Sequence, residues 1–186
     1  RHGAMSRLDR LLEAYAEHIA SPWQQGLSGS EKVIFLVYTP SDELRLRIYI
    51  DEFELRTREA GHGWHHIDLT NAFPQWMANH RRRDKYFARP ELLSGHAEGK
   101  LTEFTRHLVE QVRAAVAAQP ADSVVALSGT GTLFGVSSVS ELVEKAAASI
   151  QGRLVVFFPG DVDNDNYRLL DARDGWNYMA HAITGA

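Results

Sequence analysis

Four short apolar runs punctuate this chain, at Val33 to Tyr38, Trp64 to Leu69, Val124 to Leu127 and Arg153 to Phe158, and each is separated from the next by a segment too long for a hairpin. Strands joined in that way take right-handed crossovers and lie parallel, with the connecting helices laid over both faces of the sheet. The expected fold class is α/β: a three-layer sandwich with a mostly parallel central sheet of four to six strands, helices on both faces and an N-terminal helix before the first strand. Val33 to Tyr38 and Leu154 to Phe158 are almost wholly apolar, as interior strands covered on both sides must be. At 186 residues and 44% hydrophobic, the chain has the length and apolar content of one domain, read as residues 5–186, with Arg1 to Ala4 taken as a vector remnant.

The segments between the strands carry helical spacing. Leu8, Leu11, Leu12, Tyr15 and Ile19 recur at three- and four-residue steps behind Ser6, a capping residue with Asp9 three positions on. Asp42 to Ala60 reads as a long surface helix with Leu44, Ile48, Phe53 and Leu55 among charges, closed by Gly61 and Gly63. Its Arg45, Arg47, Arg56 and Arg58 are balanced by acids, which is the pattern of an ion-paired solvent face. Further helices are expected from Thr70-Asn71 to about His80, from about Glu98 to Ala118, and from Ser137 to Ile150. Pro159-Gly160 should end the fourth strand, and Tyr167 to Leu170 with Asn177 to Ile183 should add a short edge hairpin.

Bulk properties exclude several classes of function. A net charge of −4 gives no global attraction to nucleic acid or to an anionic membrane. With no cysteine there is no disulfide, thiolate metal site or cysteine nucleophile, which suits a cytoplasmic protein. No apolar run approaches the roughly 20 residues that span a bilayer.

Three constellations could carry chemistry, and each falls short of its template. Ser128 to Gly135 is a Gly-rich turn between a strand and a helix, where backbone amides can cradle a phosphate. Yet Phe134 replaces the last glycine of the dinucleotide fingerprint, and no Gly-Lys-Ser/Thr ending follows. A degenerate nucleotide-binding or nucleotide-hydrolysing domain is therefore the alternative function. Asp161, Asp163 and Asp165 imitate the start of a calcium loop, but Asn166 and Ala172 stand where glycine and glutamate belong. His62, His65 and His66 cluster, although neighbours 65 and 66 point to opposite faces of a strand. No metal, cofactor or catalytic residue is expected from these patterns.

Interaction surfaces are better supported. The loop beyond Gly160 leaves the C-terminal edge of the sheet, where α/β proteins usually engage partners, and it carries Tyr167, Arg168, Arg173, Trp176 and Tyr178. Those residue types dominate binding hot spots because they bury large areas and still hydrogen-bond, although Trp176 and Tyr178 could equally be core anchors. Arg81, Arg82, Arg83 and Lys85, interleaved with Tyr86 and Phe87, form the one concentrated positive cluster and could touch nucleic acid or an acidic partner. A solvated helix end explains the same cluster.

Three segments have an idiosyncratic character: Ser21-Pro22-Trp23 to Phe35, Asp51 to Trp64, and the tail from Pro159-Gly160 through Asn166-Tyr167-Arg168-Leu169-Leu170 to Asp174-Gly175-Trp176-Asn177-Tyr178. On these the chain resembles, from Met5 to Ile183, the BrxB family of bacteriophage exclusion (BREX) defence systems. That resemblance implies a cytoplasmic accessory or assembly subunit without chemistry of its own. It would act beside a DNA methyltransferase, a large ATPase and a PglZ-type alkaline-phosphatase-like protein, the last being the expected direct partner. A homodimer is also compatible with it.

Overall fold

The computed structural model describes residues 4–79, 102–163, 166–169 and 181–185. In chain order the elements are α1 (Arg7–Ala20), β1 (Val33–Tyr38), α2 (Glu43–Glu59), β2 (Gly63–Asp68), α3 (Ala72–Asn79), α4 (Thr102–Ala118), β3 (Ser123–Ser128), α5 (Val139–Ala147), β4 (Arg153–Asp163), β5 (Asn166–Leu169) and β6 (His181–Thr184). Five strands form a parallel sheet in the order β2-β3-β4-β1-β6, with β5 paired antiparallel to the end of β4. The expected α/β class and the helix preceding the first strand are both present.

Side-chain alternation along the strands divides the core into two layers. Ile34, Leu36, Tyr38, Val124, Ala126, Val155 and Phe157 face one side and pack under α1 and α2. Val33, Phe35, Val37, Ile67, Val125, Leu127, Leu154, Val156 and Phe158 face the other and pack under α3, α4 and α5. Every residue of β1 and β3 is buried, because both strands are interior and covered on both faces. Burial of each large apolar side chain here stabilises the fold by about 1.5–3 kcal/mol.

Local chemistry starts the helices. Ser6 Oγ accepts from Asp9 N at 3.1 Å while Asp9 Oδ2 accepts from Ser6 N at 3.0 Å, the reciprocal pair that satisfies two of the first-turn amides of α1. The 3-10 turn Pro40–Asp42 leads into α2, and Ser138 Oγ accepts from Glu141 N at 3.2 Å to begin α5. Gly152 has no room for a side chain: a Cβ there would collide with the Ser123 carbonyl oxygen, so glycine lets β3 and β4 begin side by side.

Two expectations about the C-terminal part are corrected. Pro159-Gly160 does not end the fourth strand, since β4 stays extended to Asp163. The parallel register runs out at Tyr38 opposite Pro159, where the ring nitrogen has no hydrogen to donate. Beyond that point β5 supplies a new neighbour, with Asp161 opposite Arg168 and Val162 opposite Tyr167. Nor does the tail close as a hairpin with itself, because β6 lies parallel to β1, pairing Ile34 with His181 and Leu36 with Ile183. Proline and glycine interrupt one ladder while the strand continues, which their usual reading as a turn does not anticipate.

Candidate partner-binding surface

Helix α2 is apolar on two opposite sides. Leu46, Ile50, Phe53 and Thr57 recur at helical steps and are buried against the sheet. Leu44, Ile48 and Leu55 lie within about 40° of one another on the opposite side, and they are 74%, 77% and 49% exposed. Phe53, which the sequence pattern sets beside these three on a surface helix, lies instead in the core, fully buried, with its ring 5.0 Å from that of Phe157. The exposed stripe spans about 16 Å along the helix axis at 1.5 Å per residue. Charged residues flank it, with Glu43 3.9 Å from Arg47, Glu54 2.8 Å from Arg58, and Arg56 reaching Glu13 of α1 at 2.7 Å. An apolar centre with a polar, ion-paired rim is the anatomy of a protein interface, whereas isolated exposed leucines need no explanation.

Beside the inner face of α2, a recess of about 190 Å³ opens at the C-terminal ends of β2 and β3, lined by Arg47, Asp51, His66, Asp68, Thr70 and Ser128 among others. His66 Nε2 lies 2.6 Å from Ser128 Oγ, the spacing of a base and a nucleophile. Burial pushes the His66 imidazole below its usual range, although Asp68, Glu54 and Asp51 pull the other way. Burial also acts on Asp68, but hydrogen bonds from the Thr70 hydroxyl at 2.6 Å and amide at 2.9 Å, with His66 and Arg47 nearby, outweigh it and hold the carboxyl below its usual range. Both Thr70 bonds fall on Asp68 Oδ1, and among the described residues Oδ2 accepts no hydrogen bond, from His66 or any other group. Among the described residues no group accepts a hydrogen bond from the other ring nitrogen, so the pair lacks the orienting third member of a hydrolytic triad.

The Gly-rich turn is occupied by its own neighbours. Gly129 has a φ of 70°, and a Cβ there would lie 2.5 Å from Thr70 Oγ1 and 2.9 Å from Asp68 Oδ1. Thr130 is buried and donates to the Phe157 carbonyl at 2.7 Å. Five residues separate the 3-10 turn Thr130–Leu133 from the start of α5, which Ser138 caps, so the glycines do not sit at a helix N-terminus as a phosphate cradle requires.

The remaining sequence candidates divide as follows. Tyr167 and Arg168 lie in β5, beside the end of β4. Arg173, Trp176 and Tyr178, like Arg81, Arg82, Arg83 and Lys85, lie outside the described residues. Of the acidic loop, Asp161 and Asp163 belong to β4 and Asp165 is outside the described residues. The histidines disperse: His62 stacks on Trp23 at 3.8 Å, His66 meets Ser128, and His65 is exposed. Among the described residues no three His, Asp or Glu side chains are placed to hold a metal, and no helix is long and apolar enough to cross a membrane. The stripe on α2 escapes a reading that groups Leu44, Ile48 and Leu55 with Phe53; helical angle sets position 53 about half a turn away from the other three.

No family model matches the chain, and neither a curated protein nor a solved structure is similar to it beyond chance.

Proposed function

We propose that this chain is a non-catalytic assembly subunit of a cytoplasmic bacteriophage exclusion system, and that it works by holding a PglZ-type alkaline-phosphatase-like protein against the outer stripe of α2. The observation that carries the docking part is the alignment of Leu44, Ile48 and Leu55, at 74%, 77% and 49% exposure, on a helix whose other side is already anchored in the core. Helix faces read by a partner present anchors at such four- and seven-residue steps. The likeness of the Pro159 to Tyr178 tail to the BrxB family supports the identity of the system. The β4–β5 ribbon, with Tyr167 and Arg168 in its second strand, offers a second contact at the C-terminal edge of the sheet.

Co-expression with the PglZ-type protein and affinity capture tests the reading directly. The double variant Leu44→Glu/Ile48→Glu should lose the partner while melting like the parent, since both side chains are exposed. Arg173→Ala/Trp176→Ala tests the tail in the same assay. Full retention of the partner by all folded variants, no capture by the parent chain, or hydrolysis of ATP, GTP or a phosphodiester by the isolated chain would overturn the proposal.

A further inference from the structure

On the opposite edge from the strand ends just described, the loop after α1 folds under the sheet and borders a solvent-open cavity of about 440 Å³ at the beginnings of β1, β4 and β6. His18, Ser21, Trp23, Gln24, Glu31, Arg153 and His181 line it. That volume falls within the usual range for small-molecule sites. The segment from Ser21 to Phe35 supplies Trp23, Gln24 and Glu31 to its wall, and His62 backs the Trp23 ring.

Arg153 is the unusual group. It is only 9% exposed, and among the described residues it has no carboxylate within ion-pair distance. Nη1 donates to the Gly152 carbonyl at 3.0 Å and Nη2 to the Gln24 carbonyl at 3.2 Å, and the guanidinium carbon sits 4.6 Å from the centre of the Trp23 ring. Two carbonyls and an indole fix the orientation of the guanidinium but do not neutralise it. Five N–H donors less these two leave three unspent. Trp23 is itself held by stacking on His62 at 3.8 Å, and His62 Nδ1 lies 2.9 Å from the Asp122 carbonyl. The guanidinium is thus held in a fixed orientation and largely buried at the cavity wall, and among the described residues no carboxylate lies within ion-pair distance of it.

The other walls narrow the ligand. His18 and His181 stack at 4.5 Å with an interplanar angle of 10°, and among the described residues neither ring nitrogen has a hydrogen-bond partner. Burial, then His181 and Arg153, hold the His18 imidazole below its usual range, so it faces the cavity mainly neutral near pH 7. Glu31 brings a negative charge to the same cavity, with one oxygen taken by Ser28 N at 2.8 Å, and Glu17 lines the adjoining groove that shares His18 and His181. One acid opposing one arginine disfavours a polyanion. A single anionic group carrying a hydroxyl or amine for Glu31 matches both.

We infer that this cavity binds a small organic anion, whose one carboxylate or phosphate group is gripped by the free donors of Arg153 while its polar remainder meets Glu31 and the stacked histidines. The site is independent of the α2 face and of any partner held there.

Histidine NMR titration of the full chain tests it with four probes at millimolar concentration and constant ionic strength: lactate, glycerol 3-phosphate, inorganic phosphate and chloride. Lactate separates a carboxylate site from a phosphate site, and comparison of glycerol 3-phosphate with inorganic phosphate tests the need for an organic body. At least one of the first two should shift the His18 and His181 signals saturably, raise the His18 pKa and raise Tm, with chloride inert. Arg153→Gln should weaken that binding by about 10- to 100-fold, the loss of a charge-assisted pair, and Arg153→Lys should recover part of it. Absence of a saturable shift with lactate and glycerol 3-phosphate in the unmodified chain, or undiminished binding by folded Arg153→Gln, would overturn the inference. His181→Gln on the edge strand provides a second variant should position 153 prove necessary for folding.

Discussion

The seam between α1 and α2 allows a quantitative test, because it contains a short polar relay in an otherwise apolar layer. Tyr15 and Thr57 are both 0% exposed, and their hydroxyl oxygens are 2.5 Å apart. Thr57 Oγ1 spends its hydrogen on the Phe53 carbonyl at 2.8 Å, so the phenol must be the donor of the first bond. Burial holds that phenol far above its usual range, and it remains a donor at any working pH. Thr57→Val keeps the shape and the β-branch but leaves the buried phenol O–H without an acceptor, at a cost of about 1–3 kcal/mol. Tyr15→Phe removes the same bond yet leaves Thr57 bonded to Phe53, so about 1 kcal/mol is expected. In the double variant both polar groups are gone together. Its cost should fall short of the sum by about 1 kcal/mol, the coupling between the two side chains. For a chain of this size each kcal/mol moves Tm by about 2–4 °C, which puts Thr57→Val roughly 2–12 °C below the parent. Urea unfolding with unchanged m-values, paired with calorimetry, would measure all three. A Thr57→Val protein as stable as the parent, or strictly additive single variants, would refute the relay and with it the account of how α2 is pinned beneath its exposed stripe.

Four further outcomes follow from local geometry. Ser6→Ala removes the acceptor for the Asp9 amide and should cost about 1 kcal/mol by thermal or urea unfolding. Tyr49→Phe should raise the Asp9 pKa, since the Tyr49 hydroxyl at 2.6 Å, followed by Ser6, holds that carboxyl below its usual range; the stability gained is present above the unfolded carboxylate pKa and lost as pH falls through the lowered value. Gly152→Ala drives a Cβ into the Ser123 backbone oxygen and should lower stability by about 1–3 kcal/mol or more, so an unchanged melting curve would contradict the packing of β3 on β4. His18 and His66 both titrate below the ordinary histidine value, chiefly through burial, so the unfolded chain binds more protons as pH drops below about 6.5 and stability should fall across that window. His18→Gln and His66→Gln should each flatten that acid limb, and an unaltered slope would show that the depression is absent.

Legibility differed between the sheet and the sites for a physical reason. Interior strands have to be apolar on both faces, so β1, β3 and the first half of β4 stand out in any reading of VIFLVY, VVALS and LVVFF. Capping is equally local, and Ser6 with Asp9 declares the start of α1 through groups three residues apart. The end of β4 was misread because Pro159-Gly160 changes the hydrogen-bond partner without forcing a turn; whether an extended segment continues depends on a distant strand, here β5, arriving beside it. In the same way the histidines invite a shared role by proximity in sequence, while Trp23 and Ser128, 39 residues before His62 and 62 after His66, give two of them separate ones.

What the amino-acid order determines by itself is therefore the set of elements, their approximate limits and the layered α/β class, because propensity, periodicity and capping act over one or two turns of chain. Strand order, the parallel placement of β6 beside β1, the exposure of Leu44, Ile48 and Leu55, and the cavity around Arg153 are decided only in the folded molecule. Each depends on residues far apart in sequence coming together, and on which of two similar helix faces finds the sheet first to bury against. An arginine at the head of a strand reads as an ordinary solvated charge until Trp23, Gln24 and Gly152 enclose it without bringing an acid.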